Sequence, residues 1–238
     1  MDVENLRKEH ENLITEIGNL EGINCTPITD GIVDIDRYFK SDIKILWINK
    51  EVNSEGDNHA WSMIDVLNNL RSKLEDETGW GNTFIPIIYT LYGIFNQTNW
   101  KNTPDIREEY EITEIIKNIA YINAKKLPGG AKANYNEVKK YSSENDILKR
   151  QIALFEPNVI ICGGTFDILD NIFEEIYGEA YDNMRSISNT ARNRIYYNED
   201  LIIFEAYHPG QYTIKDSVYC DSISQNVLLW NSKYRNKI

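Results

Sequence analysis

Four short apolar runs without helical periodicity mark out the chain: "DIKILWIN" (Asp42 to Asn49), "NIAYIN" (Asn118 to Asn123), "NVIICGG" (Asn158 to Gly164) and "LIIFEAY" (Leu201 to Tyr207). Continuous runs of this length, bounded by polar residues or glycine, are the pattern of strands buried on both faces of a parallel sheet. Helical spacing fills the intervals, over Ala60 to Lys73, Phe84 to Phe95, Asp105 to Lys117, Asn136 to Phe155 and Phe166 to Tyr177, with a last stretch from Asp216 to Asn231. Ahead of the first strand, Leu6, Leu13, Ile17 and Leu20 fall on one helical face among charges. Strands alternating with helices predict an α/β fold, a three-layer α/β/α sandwich around a central, mainly parallel four-stranded sheet. With 238 residues and no internal repeat, residues 1–238 are expected to form one domain, with residues 1–40 as an N-terminal helical extension packed on it.

Composition narrows the function more than the fold. The formal net charge of −12 argues against indiscriminate nucleic-acid binding, because sequence-independent affinity comes from Lys and Arg displacing counterions from phosphates. Cys25, Cys162 and Cys220 are odd in number and far apart, which suits neither a disulfide framework nor a zinc or iron-sulfur site. His10, His59 and His208 stand at no ligand spacing, so no metal and no cofactor is expected. No stretch approaches the roughly 18 apolar residues of a membrane span. The start, "MDVENLRKEHENL", is polar where a secretion signal would be basic and then apolar, so a cytoplasmic monomer without membrane contact is expected.

In parallel sheets of this kind ligands bind beyond the carboxyl ends of the strands. Those ends carry Asn49, Lys50, Glu51 and Asn53 after the first run, Asn123, Lys125 and Lys126 after the second, Gly163 and Gly164 after the third, and His208 after the fourth. A carboxylate at Glu51 can hold a water as general base, although an isolated glutamate is more often a plain loop or helix-start charge. Asn123 offers a donor and an acceptor side by side, suited to a nucleobase edge, and is equally a turn-former. His-Pro-Gly at His208 to Gly210 fixes the backbone and aims the ring off the sheet, a placement that packing alone also produces.

The segment "AKKLPGGAKANYNEVKK" sets Lys125, Lys126, Lys132, Lys139 and Lys140 against the single acid Glu137. Its excess of positive charge makes it the best phosphate-tracking candidate, beside the usual reading of a solvated loop. Trp61 and Trp80 can stack on a base or belong to the core.

Taken in order, "ILWINKEVN", "AYINAKK", "FEPNVIICGGTF" and "FEAYHPGQ" resemble the serial motifs of the uracil-DNA glycosylase superfamily over about two thirds of the chain. The resemblance implies a monofunctional DNA glycosylase that flips a uracil or modified pyrimidine-like base out of DNA and hydrolyses its N-glycosidic bond. It places Glu51 and His208 as the catalytic pair, the first orienting water and the second stabilising the departing base. It places Asn123 as base-binding, and Gln211 and Tyr212 in the loop that the family pushes into the duplex; by their own positions in the chain, Asn53, Trp61 and Trp80 are expected around the base and Lys125, Lys126 and Lys132 against DNA. Three departures are visible: "NKEVN" lacks the family's glycine and proline, Gly210 stands where serine is common, and the four-cysteine cluster of one branch is missing. A non-catalytic module for modified DNA or nucleotides, and a hydrolase of free nucleosides or nucleotides, are the alternatives.

Overall fold

The four apolar runs form the four central strands of the computed structural model, which describes residues 1–20, 25–54, 59–76, 79–130, 132–188 and 193–235. In chain order the elements are α1 (Val3–Gly18), β1 (Ile28–Thr29), β2 (Gly31–Ile32), α2 (Ile35–Lys40), β3 (Ile45–Asn49), β4 (Trp61–Ser62), α3 (Met63–Asn68), α4 (Leu70–Glu75) and α5 (Gly81–Phe95). After two 3-10 segments, Trp100–Asn102 and Tyr110–Asn118, come β5 (Ala120–Asn123), α6 (Tyr135–Glu144), α7 (Ile147–Phe155), β6 (Val159–Gly163) and α8 (Phe166–Tyr177). The chain closes with α9 (Glu179–Asp182), β7 (Arg185–Ser188), β8 (Arg194–Tyr197), β9 (Ile202–Ala206) and α10 (Asp216–Tyr234).

The main sheet has seven strands in the order β2-β5-β3-β6-β9-β8-β7, not four. Its centre, β5-β3-β6-β9, is wholly parallel, while β2, β8 and β7 add antiparallel edges. The additions escape a reading of apolar runs for physical reasons. Strand β2 is buried but only two residues long, "RSIS" of β7 is exposed throughout, and β8 buries only Ile195 fully, so none of the three makes a long buried run. The first forty residues contribute this edge strand as well as helices.

Alternation along the central strands divides the core into two layers. Ile45, Trp47, Tyr121, Ile161 and Phe204 pack with Phe84 and Leu91 of α5 and Tyr219 and Val227 of α10. Leu46, Ile48, Ile122, Ile160 and Ile203 pack on the other side with Leu6 of α1, Ile152 of α7 and Leu169 of α8.

Three helical expectations are corrected. The stretch Asp105 to Lys117 contains a 3-10 segment, Tyr110–Asn118, in place of an α-helix. Neighbouring β-branched residues Ile112, Thr113, Ile115 and Ile116 crowd an α-helical turn, and the Thr113 hydroxyl donates to the Tyr110 carbonyl three residues back at 2.6 Å. Asn136 to Phe155 breaks at Asn145, whose extended backbone ends α6 and whose side chain accepts the Ile147 N–H at 2.9 Å to start α7. Ala60 to Lys73 opens as strand β4, and its helix begins only after Ser62 caps the Asp65 N–H and is interrupted at Asn69.

Candidate functional site

The chain leaves β3 and turns to one side for β5, then crosses back for β6 on the other side of β3. Connections diverging from adjacent strands open a crevice at their carboxyl ends, here between β3 and β6. The residues along this edge form a row: Asn123 is in register with Asn49, and Gly163 with Ala206. Asn49 shares the face of Ile45 and Trp47, so the row points toward the start of α5.

Above it lies a cleft of about 710 Å³ lined by Asn49, Lys50, Glu51, Asn53, Trp80, Asn82, Phe84, Tyr121, Asn123, His208 and Tyr212. Glu51, Asn123 and His208, drawn from three different strand ends, therefore face one space. Gly130 and Ala133 of the lysine-rich segment complete its rim.

Glu51 is held by backbone geometry. The loops after β3 and β5 continue side by side, with Ala124 N–H on Asn49 O and Lys125 N–H on Lys50 O, both at 2.8 Å, and a further bridge between Asn53 and Gly129. A Cβ on Gly129 would lie 2.6 Å from Glu51 Oε1, so a larger residue there would displace the Glu51 side chain. Desolvation raises the Glu51 carboxyl above its usual range, while Lys125 and Lys50 oppose the rise. Its Oε2 is buried and has no protein partner.

His208 is neutral near pH 7, since burial, helped by the charge of Lys50, lowers its pKa to about 4. Its Nδ1 accepts the Gly210 N–H at 3.1 Å, which leaves the ring proton on Nε2 as a donor. The glycine at this point of the motif has a local cause. Pro86, inside α5, has no N–H to offer the Asn82 carbonyl, and a Cβ on Gly210 would lie 3.2 Å from that oxygen.

Asn49, noted from sequence as a strand-end residue but given no role, donates from Nδ2 to the Tyr121 hydroxyl at 2.9 Å, and its buried Oδ1 has no protein partner. That oxygen leans into the space left by Gly163, where a Cβ would lie 2.1 Å away. Phe84 was also missed. It stacks on Trp80 at 5.5 Å and packs on Tyr121 at 5.4 Å, giving the cleft an aromatic wall. Its place in an apolar helix made it indistinguishable from core. Trp61 meets Trp80 edge-on at 6.0 Å and does not line the cleft, so the expectation that it binds the base is corrected.

The lysine-rich segment is the main correction. Lys126 is 1% exposed and forms a 2.7 Å ion pair with the wholly buried Asp30, so it is an interior cation unable to reach DNA. Lys125 is 12% exposed and lies 3.7 Å from Glu137, and Lys140 lies 3.9 Å from Glu144. Lys132 is exposed. Gln211 spends its side chain on its own loop, accepting from Thr213 and Ile214 and donating to the Ile214 carbonyl at 2.9 Å. Tyr212 is 92% exposed at the cleft mouth. Among the described residues no helix is long and apolar enough to cross a membrane, and no cluster of metal-ligating side chains occurs.

No family model matches the chain, and no curated protein or solved structure matches it.

Proposed function

We propose that this protein is a DNA glycosylase that hydrolyses the N-glycosidic bond of uracil or a modified pyrimidine-like base and leaves an abasic site. The observation that carries the reading is the convergence of Glu51, Asn123 and His208 on one cleft beyond the carboxyl ends of the sheet. N-glycoside cleavage passes through an oxocarbenium-like sugar, with negative charge gathering on the leaving base, as in other glycoside hydrolyses. Glu51 accepts a proton from the attacking water and its carboxylate faces the developing sugar cation. His208, neutral and protonated on Nε2, donates to a carbonyl oxygen of the departing base without needing to be an imidazolium. Asn123 reads the edge of the base, and the wall of Phe84 and Trp80 receives its face.

One observation favours a second reading, an N-glycoside hydrolase acting on free nucleosides or nucleotides. Three of the five lysines expected to track a phosphate backbone lie within 4 Å of acids, at 2.7, 3.7 and 3.9 Å. A small substrate needs no such track.

The test is to incubate the protein with oligonucleotides carrying uracil, hydroxymethyluracil or bulkier modified pyrimidines, cleave abasic sites with alkali, and look for strand breaks. Breaks in the wild type that vanish in Glu51→Gln and His208→Ala support the glycosylase. Base release from free nucleosides alone transfers the reading to the second hydrolase. Tight binding of a modified oligonucleotide with no release from any substrate makes the protein a binding module.

A further inference from the structure

Directly behind Asn123 lies a buried charge that the reaction above does not use. Asp30 is wholly buried where β2 gives out, two residues short of the end of its neighbour β5. Its Oδ2 accepts the Asn123 backbone N–H at 2.7 Å and, at 3.5 Å, the Asn123 side-chain Nδ2. Its carboxylate thus replaces the ladder partner that the short strand no longer supplies. The other oxygen, Oδ1, accepts from Lys126 Nζ at 2.7 Å and from Gln151 Nε2 at 3.1 Å. Lys126 Nζ also donates to the Asn123 carbonyl at 2.7 Å. The N–H, the carbonyl and the side-chain amide of Asn123 are all tied to one ion pair.

Stability alone does not account for this arrangement. A fully buried ion pair is usually matched or bettered by apolar residues of the same volume. It does supply directional hydrogen bonds that an apolar pair cannot. We infer that Asp30 is a positioning residue: paired with Lys126, it locks Asn123 and draws Nδ2 inward, so that the amide oxygen is the atom presented to the cleft. This rests on the proposal that Asn123 meets the ligand, and it adds that the ligand must bring a hydrogen-bond donor to that point.

The test uses the full chain carrying Asp30→Asn with Lys126→Met, which removes both charges at near-constant volume and strands neither. The readouts are the Asn123 side-chain amide signals by NMR, and kcat and KM on a uracil-containing oligonucleotide. In a variant that melts close to wild type, the amide signals move and KM rises about tenfold while kcat changes less, the pattern of a displaced binding group. Gln151→Met, which removes one of the two donors to Asp30 Oδ1, moves the same signals by a smaller amount and serves if the double variant fails to fold. Unmoved Asn123 signals in either folded variant, or unchanged KM in the double variant, overturn the inference. Should the wild type release no base from any substrate, the glycosylase reading falls, while the amide signals still decide whether Asp30 positions Asn123.

Discussion

The two ends of the central sheet use the same residue type in opposite ways. At the amino end, Asn158 spends its whole amide on the fold: Oδ1 accepts the Lys44 N–H at 3.0 Å and Nδ2 donates to the Asp42 carbonyl at 3.1 Å, tying β6 to the approach to β3. At the carboxyl end, Asn49 Oδ1 and Glu51 Oε2 are buried with no protein partner. A buried polar atom without a partner costs about 1–3 kcal/mol, so a fold tolerates it mainly where a water or a ligand fills the gap. At Asn158 the chain itself supplies both hydrogen-bond partners, whereas Asn49 Oδ1 and Glu51 Oε2 receive none from the chain. Asn49 and Glu51 both belong to the lining of the cleft.

The contrast can be broken in several ways. The largest effect is expected at the ion pair behind the carboxyl end: Asp30→Ala leaves Lys126 buried and uncompensated, and should cost about 3–5 kcal/mol in urea unfolding. Partial protection comes from the lowered proton affinity that burial already imposes on Lys126. A loss below 1 kcal/mol would show that the pair is not a closed buried unit.

Next comes Glu51→Gln, which should lower excision about 10²- to 10³-fold with little change in stability. Because burial raises this carboxyl, the wild-type rate should fall toward acid pH through a midpoint above the ordinary glutamate value of 4.5. An acid limb that survives in Glu51→Gln would assign that limb to another group.

The third effect separates pH from chemistry. Burial lowers both His10 and His208 from 6.5 to about 4. Each binds its proton more readily when unfolded, so the unfolded chain takes up more protons between pH 6.5 and pH 4. The contribution of the two histidines to stability is therefore full above pH 6.5 and is lost as pH falls toward 4, by up to about 3 kcal/mol for each. His10→Gln should remove part of that slope and leave the pH dependence of excision unaltered, as read by urea titrations at stepped pH.

The smallest effect is expected at the amino end. Asn158→Ala should cost about 1 kcal/mol per lost hydrogen bond and leave the excision rate at the wild-type level. A tenfold fall in rate there would erase the distinction between the two ends.

Much of the fold was legible because the four central strands are buried on both faces, and such strands write themselves as continuous apolar runs. "DIKILWIN" and "NVIICGG" could hardly be anything else, and Phe166–Tyr177 matches its helical expectation at both ends. The antiparallel edges were not legible, since β2 is too short, β7 is exposed and β8 is buried at one residue only, and none of them writes a long apolar run. Polar residues at the strand ends were also readable, because a parallel sheet sends all its carboxyl ends to one side.

Charge was the least legible property. "AKK" at Ala124 to Lys126 reads as two equivalent lysines, yet one is sealed inside against Asp30 and the other lies near a surface glutamate. Nothing between Asp30 and Lys126 along the chain announces the pair, which forms because β1 and the loop after β5 are joined by the Ile28 N–H on the Lys126 carbonyl at 2.9 Å. Gly210 is a similar case: its absent side chain makes sense only beside the carbonyl that Pro86 leaves open.

By itself, then, the sequence determined the central parallel sheet, its helical cover and the edge on which polar residues collect, because those follow from local periodicity and from the one-sidedness of parallel strands. Only the tertiary structure decided which of those residues share a cleft, which lysine is a surface charge, and which asparagine is held by a buried carboxylate. Those are contacts between segments far apart in the chain, such as Asp30 with Lys126 and Gln151, 96 and 121 residues away, and pairings at that separation leave no periodic trace in the chain.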